Sequence, residues 1–270
     1  MRGINVLWTK PHADFVFKEK YELLTAVLSA LEWRAHNGDI IMYTDVPQAF
    51  YESGISNVWN DVVRLCEYEV NSGIFWAAGK IFAIKKLEPP FCVIDTDFIV
   101  WKKMNFSGEI AAIHTEELPG AYPEYDDFFE KTGFSRSVLP ANTAFSYIGN
   151  GEFLKLYANE AIKFMQSYTG AEDFIGPMIF AEQRMFSMCA AKLKLDIEIL
   201  SDMNKLFTDG DGGRFTHLWG FKQKLGSDSE LKNSFTKRLL CRIERDFHEY
   251  YEITLRALKY FFKEKQENDF

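Results

Sequence analysis

The chain has few cysteines, no surplus of positive charge and no long apolar run. Its four cysteines, Cys66, Cys92, Cys189 and Cys241, are widely spaced and form no Cys-x-x-Cys pair, which argues against a disulfide framework or a zinc site. No stretch reaches the ~18 apolar residues that mark a membrane-crossing helix. Lys and Arg number 31 against 39 Asp and Glu, a formal net charge of −8. The basic footprint of a nucleic-acid binder is therefore missing, and an anionic ligand would need local cations or a metal. No Pro/Ser-rich linker, low-complexity block or internal repeat divides the chain. The opening "MRGINVLWTKPHADF" has one basic residue before a short apolar patch, unlike a signal peptide. These absences predict a soluble, cytoplasmic protein.

What the chain does have is apolar bulk. It is 47% hydrophobic and 16% aromatic, with 25 Phe and 12 Tyr, enough for a large core and incompatible with intrinsic disorder. "GINVLWT" reads as a buried strand, "KEKYELLTAVLSALEWRAHNG" as a helix stopped at Asn37-Gly38, and "DIIMYTD" as a second strand. A helix near "VPQAFYESG", an irregular stretch and a helix over 72–86 lead through Pro89-Pro90 into the strand "FCVIDTDFIVW". This order predicts an α/β fold, a mostly parallel sheet flanked by helices, in which ligands sit beyond the carboxyl ends of the strands. Asp45, Asp95 and Asp97 lie at such ends. Later, "EIAAIHT", "TAFSYIG" and "LDIEIL" read as strands, and "EFLKLYANEAIKFMQSY" and the segment from Pro177 as helices. "GAYPEYDDFFEKTGFSRS" and "TDGDGGRFT" read as loops. The tail reads as one long amphipathic helix with Leu240, Ile243, Phe247, Tyr251, Leu255, Leu258 and Phe262 on one stripe.

Two Asp-x-Asp triplets occur. Asp209 and Asp211 lie in a Gly-rich loop, where solvated turn aspartates are the expected reading. Asp95 and Asp97 sit inside an apolar run, where an ionised carboxylate is costly unless paired, hydrogen-bonded or metal-bound. In an extended chain, residues two apart face the same side, so both carboxylates can converge on one hard divalent cation, Mn2+ or Mg2+.

With these residues in view, "FCVIDTDFIVW" resembles the DxD strand of GT-A glycosyltransferases, which bind a nucleotide-sugar through a metal. "FWAAGKIFAIKKLEPPF" resembles the helix before that strand, with Lys80 as its basic residue. "LPANTAFSYIG" is similar to the segment bordering the sugar site, with Asn142 matching. "IFAEQRMFSMCA" resembles the following helix, with Glu182 and Gln183 matching. "THLWGFKQK" is similar to the late His-x-x-Gly element of glycogenin-like enzymes, matching at His217 and Gly220. That element carries Lys six residues after the His, then Pro-Trp. Here Lys222 and Lys224 stand five and seven residues after, without Pro-Trp. The opening segments also resemble uncharacterised bacterial relatives of these transferases.

The resemblance implies a transferase domain over 1–225 and a C-terminal helical extension over 226–270. It implies that Asp95, Asp97 and His217 hold Mn2+ or Mg2+. The nucleotide-sugar donor, a UDP-sugar by preference, is expected on Trp8, Thr9, Lys10, Asp45, Lys80, Asp95, Thr96 and Lys222. Asn142, Glu182 and Gln183 are expected to orient the sugar, with Asp173 nearby and transfer to a glycan or lipid-linked acceptor. Tyr122, Glu124, Tyr125, Asp126 and Asp127 are either surface loop or acceptor contacts. The glycogenin-like order implies retention of configuration. Bland readings stand beside these: His217 as a satisfied, partly buried histidine, Trp8 as core and Glu182 as a solvated helix face. His12, His36, His114 and His248 read as structural. Two rival functions remain. One is a phosphohydrolase of the haloacid-dehalogenase type with Asp95 as nucleophile and Asp126-Asp127 as its late acidic pair. The other is a nucleotide-sugar binder without turnover. The tail stripe is expected to pack on the body or on a second copy in a homodimer. Lys259, Lys263 and Lys265 could instead rest on the inner membrane face, although Glu244, Glu249, Glu252 and Glu264 dilute that charge.

Overall fold

The computed structural model describes residues 1–12, 15–116, 122–170 and 175–262; Asp173, Lys263, Glu264 and Lys265 lie outside them. The first half alternates strands and helices: β1 (Arg2–Leu7), α1 (Lys20–His36), β2 (Ile40–Thr44), α2 (Pro47–Ser53), β3 (Asp61–Arg64), α3 (Ala78–Ile84) and β4 (Phe91–Ile94). Then come β5 (Phe98–Val100), β6 (Ile110–Thr115), α4 (Asp126–Thr132), β7 (Ala141–Ile148) and α5 (Gly151–Ser167). The chain continues through α6 (Gly176–Ile179), a π-turn (Phe180–Arg184) and α7 (Met185–Leu193) to β8 (Ile197–Ile199). It ends with α8 (Met203–Gly213), β9 (Phe215–His217), α9 (Trp219–Ser227), α10 (Ser229–Asp246) and α11 (Tyr251–Phe261).

The main sheet has seven strands in the order β3-β2-β1-β4-β7-β6-β8. All its pairings are parallel except those of β7, which runs against both β4 and β6. The fold is thus mixed α/β with a mostly parallel sheet, as the element order predicts. Period-two alternation divides each strand between two cores. Phe91 and Val93 of β4 enter the one formed with α3, α5 and α7, while Cys92 and Ile94 enter the one formed with α1 and the C-terminal helices. The carboxyl ends of β1, β4 and β6 share one edge of the sheet. The amino end of antiparallel β7, with Asn142 and Thr143, reaches the same edge.

Four local expectations differ from the structure. "FCVIDTDFIVW" is two strands rather than one: β4 stops at Ile94, Phe98 N–H bonds the Asp95 carbonyl at 2.9 Å, and β5 pairs antiparallel with β9 in a separate two-stranded sheet. The apolar run continues past the aspartates because it changes sheet, so the two carboxylates converge through a turn and not through strand alternation. The tail is two helices, since Phe247 leaves helical geometry (φ −140°, ψ 51°) and a 3-10 turn over His248–Tyr250 follows. In the segment "TDGDGGRFT", residues through Gly213 end α8, with Gly210, Asp211 and Gly212 in left-handed conformation. The loop around "YDDFFEKT" contains α4, whose aromatic density hides any helical period.

Candidate functional site

The helices around the shared edge are anchored by local chemistry. Glu19 and Glu22 form a reciprocal capping box at the start of α1. Asn150 caps α5, with its side-chain oxygen accepting from Phe153 N–H at 2.8 Å. At the edge itself, Asp95 follows the last residue of β4, and its N–H donates to the Ala144 carbonyl at 2.8 Å. Asp97 stands just before β5, where Phe98 pairs with His217, and its carbonyl accepts from Leu218 N–H at 3.2 Å. Sheet pairing therefore brings His217 beside Asp97, although 120 residues separate them in sequence.

These groups open into a cavity of about 820 Å3. It is lined by Trp8, Lys80, Asp95, Thr96, Asp97, Asn142, Glu182, Gln183, His217 and Lys222, all drawn from the sequence expectations. Thr9, Lys10 and Asp45 do not line it. Thr9 donates its N–H and its hydroxyl to the Asp45 carboxylate at 2.8–3.1 Å, an arrangement that ties the ends of β1 and β2 together. Lys10 pairs with Glu67 at 2.6 Å, and Trp8 Nε1–H donates to the same carboxylate at 3.0 Å. Trp8 is almost fully buried and packs edge-on to Phe82. It is both core and cavity wall.

Charge is balanced within the cavity by two lysines. Lys80, from α3, bonds Asp95 at 2.8 Å and also Glu182. Lys222, from α9, bonds Asp97 at 2.7 Å. Burial pushes the Asp95 carboxyl up to about 7, against the pull of Lys80 and with Asp97 and Glu182 adding to the rise. Lys80 offsets that burial only in part, because its one ammonium serves two carboxylates. Burial also opposes ionisation of Asp97, but Lys222 and His217 outweigh it and hold its pKa below the ordinary value. For both lysines burial favours the neutral amine, yet their carboxylates win and raise the ammonium pKa. Burial lowers His217 to about 4, so it is a neutral imidazole at pH 7, and its buried Nδ1 has no hydrogen-bond partner among the described residues.

The sugar-side expectations also meet here. Glu182 sits in the π-turn, accepts from Thr143 Oγ1 at 2.7 Å, and its carbonyl accepts from the Tyr157 hydroxyl at 2.9 Å. It is buried, not a solvated helix face. Tyr122 donates its hydroxyl to Gln183 Oε1, and burial keeps that phenol protonated. Asn142 Oδ1 accepts from Ala144 N–H at 3.0 Å, which turns its amide so that Nδ2 donates to Glu116 Oε1 at 2.7 Å. Glu116 carried no signal other than its place one residue beyond β6; the same strand-end rule that singled out Asp95 would have found it. Glu22, His12 and Tyr21 also line the cavity without having been expected there. Glu124, Asp126 and Asp127 do not. They pair with Arg184, Arg136 and Lys131, while Tyr125 packs among Phe164, Tyr168 and Phe180. A second cavity, of about 950 Å3, lies behind β9 and, among the described residues, shares only His217, Leu218 and Trp219 with the first.

Among the described residues, no three His, Cys, Asp or Glu side chains form a ready cation site, and each aspartate holds a lysine. The donor set nonetheless fits a hard divalent ion. It offers two carboxylates, each with an oxygen not bonded to lysine, and a neutral imidazole whose buried ring nitrogen lacks a partner. No helix among the described residues is long and apolar enough to cross a membrane.

Among solved structures, the chain is similar to the nucleoside-diphosphate-sugar pyrophosphorylase of Vibrio cholerae RC9, with 11% identity and a TM-score of 0.41 over 76% of this chain and 93% of that one. No curated protein matches it. A family model does match, over residues 1–255, and the chain belongs to that family of unknown function, DUF6734.

Proposed function

We propose that this protein is a metal-assisted GT-A-type glycosyltransferase that moves a sugar from a nucleotide-diphosphate donor, a UDP-sugar by preference, to a hydroxyl of a glycan or lipid-linked acceptor. One observation carries the reading. Asp95, Asp97 and a neutral His217 meet two lysines, the largely covered Lys80 and the more open Lys222, at the carboxyl end of a central strand, inside a cavity of about 820 Å3. That size falls within the ~300–1,000 Å3 of small-molecule sites, and the strand-end position is where α/β sheets bind ligands.

In this mechanism Asp95, Asp97 and His217 would hold Mn2+ or Mg2+, which supplies Lewis-acid stabilisation of the leaving diphosphate. Lys80 and Lys222 place two fixed ammonium groups where negative charge grows as the sugar–phosphate bond breaks. Their aspartate partners keep them charged, and the diphosphate can take over those bonds. Asn142, Glu182 and Gln183 fix the sugar. Thr143, Lys80 and Tyr122 hold two of these three in place, and the amide of Asn142 is set by Ala144.

A phosphohydrolase with Asp95 as nucleophile is disfavoured by the same geometry. Asp126 and Asp127, its expected late acidic pair, lie outside the cavity and pair with Arg136 and Lys131 instead. The deciding experiment is calorimetric titration of UDP- and GDP-sugars with and without Mn2+, on the wild type and on Asp97→Ala. Metal-dependent binding that the substitution removes is expected. Absence of nucleotide binding together with phosphate release from a phosphomonoester would overturn the transferase in favour of the hydrolase. Metal-dependent binding of intact donor with no turnover would make the protein a binder.

A further inference from the structure

We propose that Glu116 is the general base of the transfer, taking the proton of the acceptor hydroxyl, and that the sugar is therefore transferred with inversion. The inference rests on the nucleotide-sugar reading and adds to it a proton acceptor and a stereochemical outcome. It comes from following each carboxylate of the cavity to its partner. Asp95 and Glu182 share Lys80, and Asp97 holds Lys222. Glu22 accepts the backbone N–H groups of Lys18 and Glu19 at 2.8 and 3.2 Å. Glu116 differs from all of these. Its side chain touches no ammonium, guanidinium or backbone N–H among the described residues, and it accepts one hydrogen bond, from Asn142 Nδ2.

A carboxylate bonded to a cation or to several N–H groups is a poor proton acceptor, because those partners stabilise its ionised form. A carboxylate held by one neutral amide escapes that penalty and has a fixed orientation. Glu116 is only 8% exposed, so its surroundings confine the carboxylate to few orientations. Its backbone N–H bonds the Pro140 carbonyl at 2.8 Å, continuing the β6–β7 pairing. That pairing sets its carboxylate against Asn142, with Tyr122, Gln183 and the two Asp–Lys pairs in the same cavity.

The step balances without another reactant. The acceptor O–H proton passes to the Glu116 carboxylate as the acceptor oxygen bonds to the anomeric carbon. The bond from that carbon to the donor phosphate breaks, and its electron pair leaves with the diphosphate, facing Lys80 and Lys222. Attack opposite the leaving group inverts the anomeric centre. The proton on Glu116 returns to solvent after product leaves. The glycogenin-like resemblance implies retention instead, so the product's configuration separates the two.

Glu116→Gln tests the assignment, since the amide oxygen can still accept from Asn142 and the fold is kept. The nucleotide-sugar that binds in calorimetry is incubated with wild type and variant, with water as the acceptor. Released sugar is read by proton NMR before its anomers equilibrate. Expected results are donor affinity within about twofold of wild type, an unchanged melting temperature and release of sugar slowed by a factor of about 10²–10⁴, the usual contribution of a general base. The wild type should give the inverted anomer, and the acid limb of its pH–rate profile should vanish in the variant. Undiminished release by the variant, a retained anomer, or donor left intact by wild type would each overturn the base assignment while leaving donor binding standing. Failure of the wild type to bind any nucleotide-sugar would remove the underlying reading as well.

Discussion

Asp95 and His217 sit in one cavity and respond to pH in opposite directions. The Asp95 carboxyl is raised from 3.8 to about 7 by burial, so between those values the folded state holds a proton that the unfolded state has lost. Its contribution to stability is complete below the unfolded value and disappears as pH rises through about 7. Burial lowers His217 from 6.5 to about 4, so between those values the unfolded state binds the extra proton. Its contribution is complete above 6.5 and is lost as pH falls toward 4. The two slopes oppose each other across their shared window, and the metal-free wild type should show nearly pH-independent stability there. Removing one group unmasks the other. His217→Gln should lose stability from about pH 4 to 7, and Asp95→Asn should gain it, each by a few kcal/mol, because a tenfold change in proton affinity is worth ~1.4 kcal/mol. Urea unfolding at several pH values reads this directly, and parallel curves for all three proteins would refute the opposed shifts. Lys80→Met should act more severely. It leaves Asp95 and the buried Glu182 without a cation, a change that costs about 3–5 kcal/mol. The loss should shrink as pH falls below about 7, where the Asp95 carboxyl takes up a proton instead; a loss equal at pH 5 and pH 8 would mean that Lys80 acts through packing. Residue types were legible here from sequence, because apolar flanks around charges always demand a partner. Which lysine serves which carboxylate was not, because Lys80–Glu182 and Asp97–Lys222 are tertiary meetings with no fixed spacing.

At the scale of elements, the placement of His217 depends on a short strand held by a glycine turn. β9 follows α8, whose last turn puts Gly210, Asp211 and Gly212 at φ of 65°, 54° and 65°. A Cβ on Gly210 would lie 2.1 Å from the Phe215 carbonyl oxygen, whereas one on Gly212 would meet nothing within 4 Å. Gly212→Ala should therefore cost only the left-handed penalty, about 1–2 kcal/mol. Gly210→Ala should cost more and, by moving Phe215, displace β9 and His217. Urea midpoints should rank the two variants, and metal-dependent nucleotide binding should weaken only in Gly210→Ala. Equal effects in both assays would show that the close contact relaxes freely. The same region marks where sequence reading stops. "TDGDGGRFT" looks like solvated loop because four of its residues, Gly210 to Gly213, need or tolerate positive φ, yet those conformations close a helix against a strand. "FCVIDTDFIVW" has uniform strand character, and only the Phe98 N–H to Asp95 carbonyl bond reveals that it turns. The break at Phe247 falls at neither Gly nor Pro, so the apolar stripe through the tail ran on where the backbone does not.

For the whole molecule, the sheet order gathers strand ends from distant parts of the chain to one edge. The alternation of strands and helices made that legible in the first half, where every connection is a helix crossover. The antiparallel insertion of β7 was not legible, since Asn142 and Ala144 reach the cavity only because β7 runs against its neighbours. The C-terminal helices close the far side. α10 lies along α1, and α11 packs on α1 and α2. Phe261 of α11 meets Phe17 at 5.4 Å and Phe50 at 6.4 Å between ring centroids, and Tyr260 donates its hydroxyl to Glu52 at 2.7 Å. Phe17 in turn belongs to the segment that lines the cavity ahead of α1, so the tail supports a wall of the candidate site from behind. Phe261→Ala should destabilise the fold by about 2–3 kcal/mol, less than the ~3–5 of a fully buried Phe because the ring is only partly covered. It should also weaken nucleotide-sugar binding severalfold without touching the ligand, because Phe17 loses the ring that fixes it. Because these contacts lie within one chain, sedimentation should give wild type and variant the same mass. A fall in mass with the substitution would instead place this face of α11 between two copies. Lost stability with unchanged donor affinity would show that the wall holds without the tail.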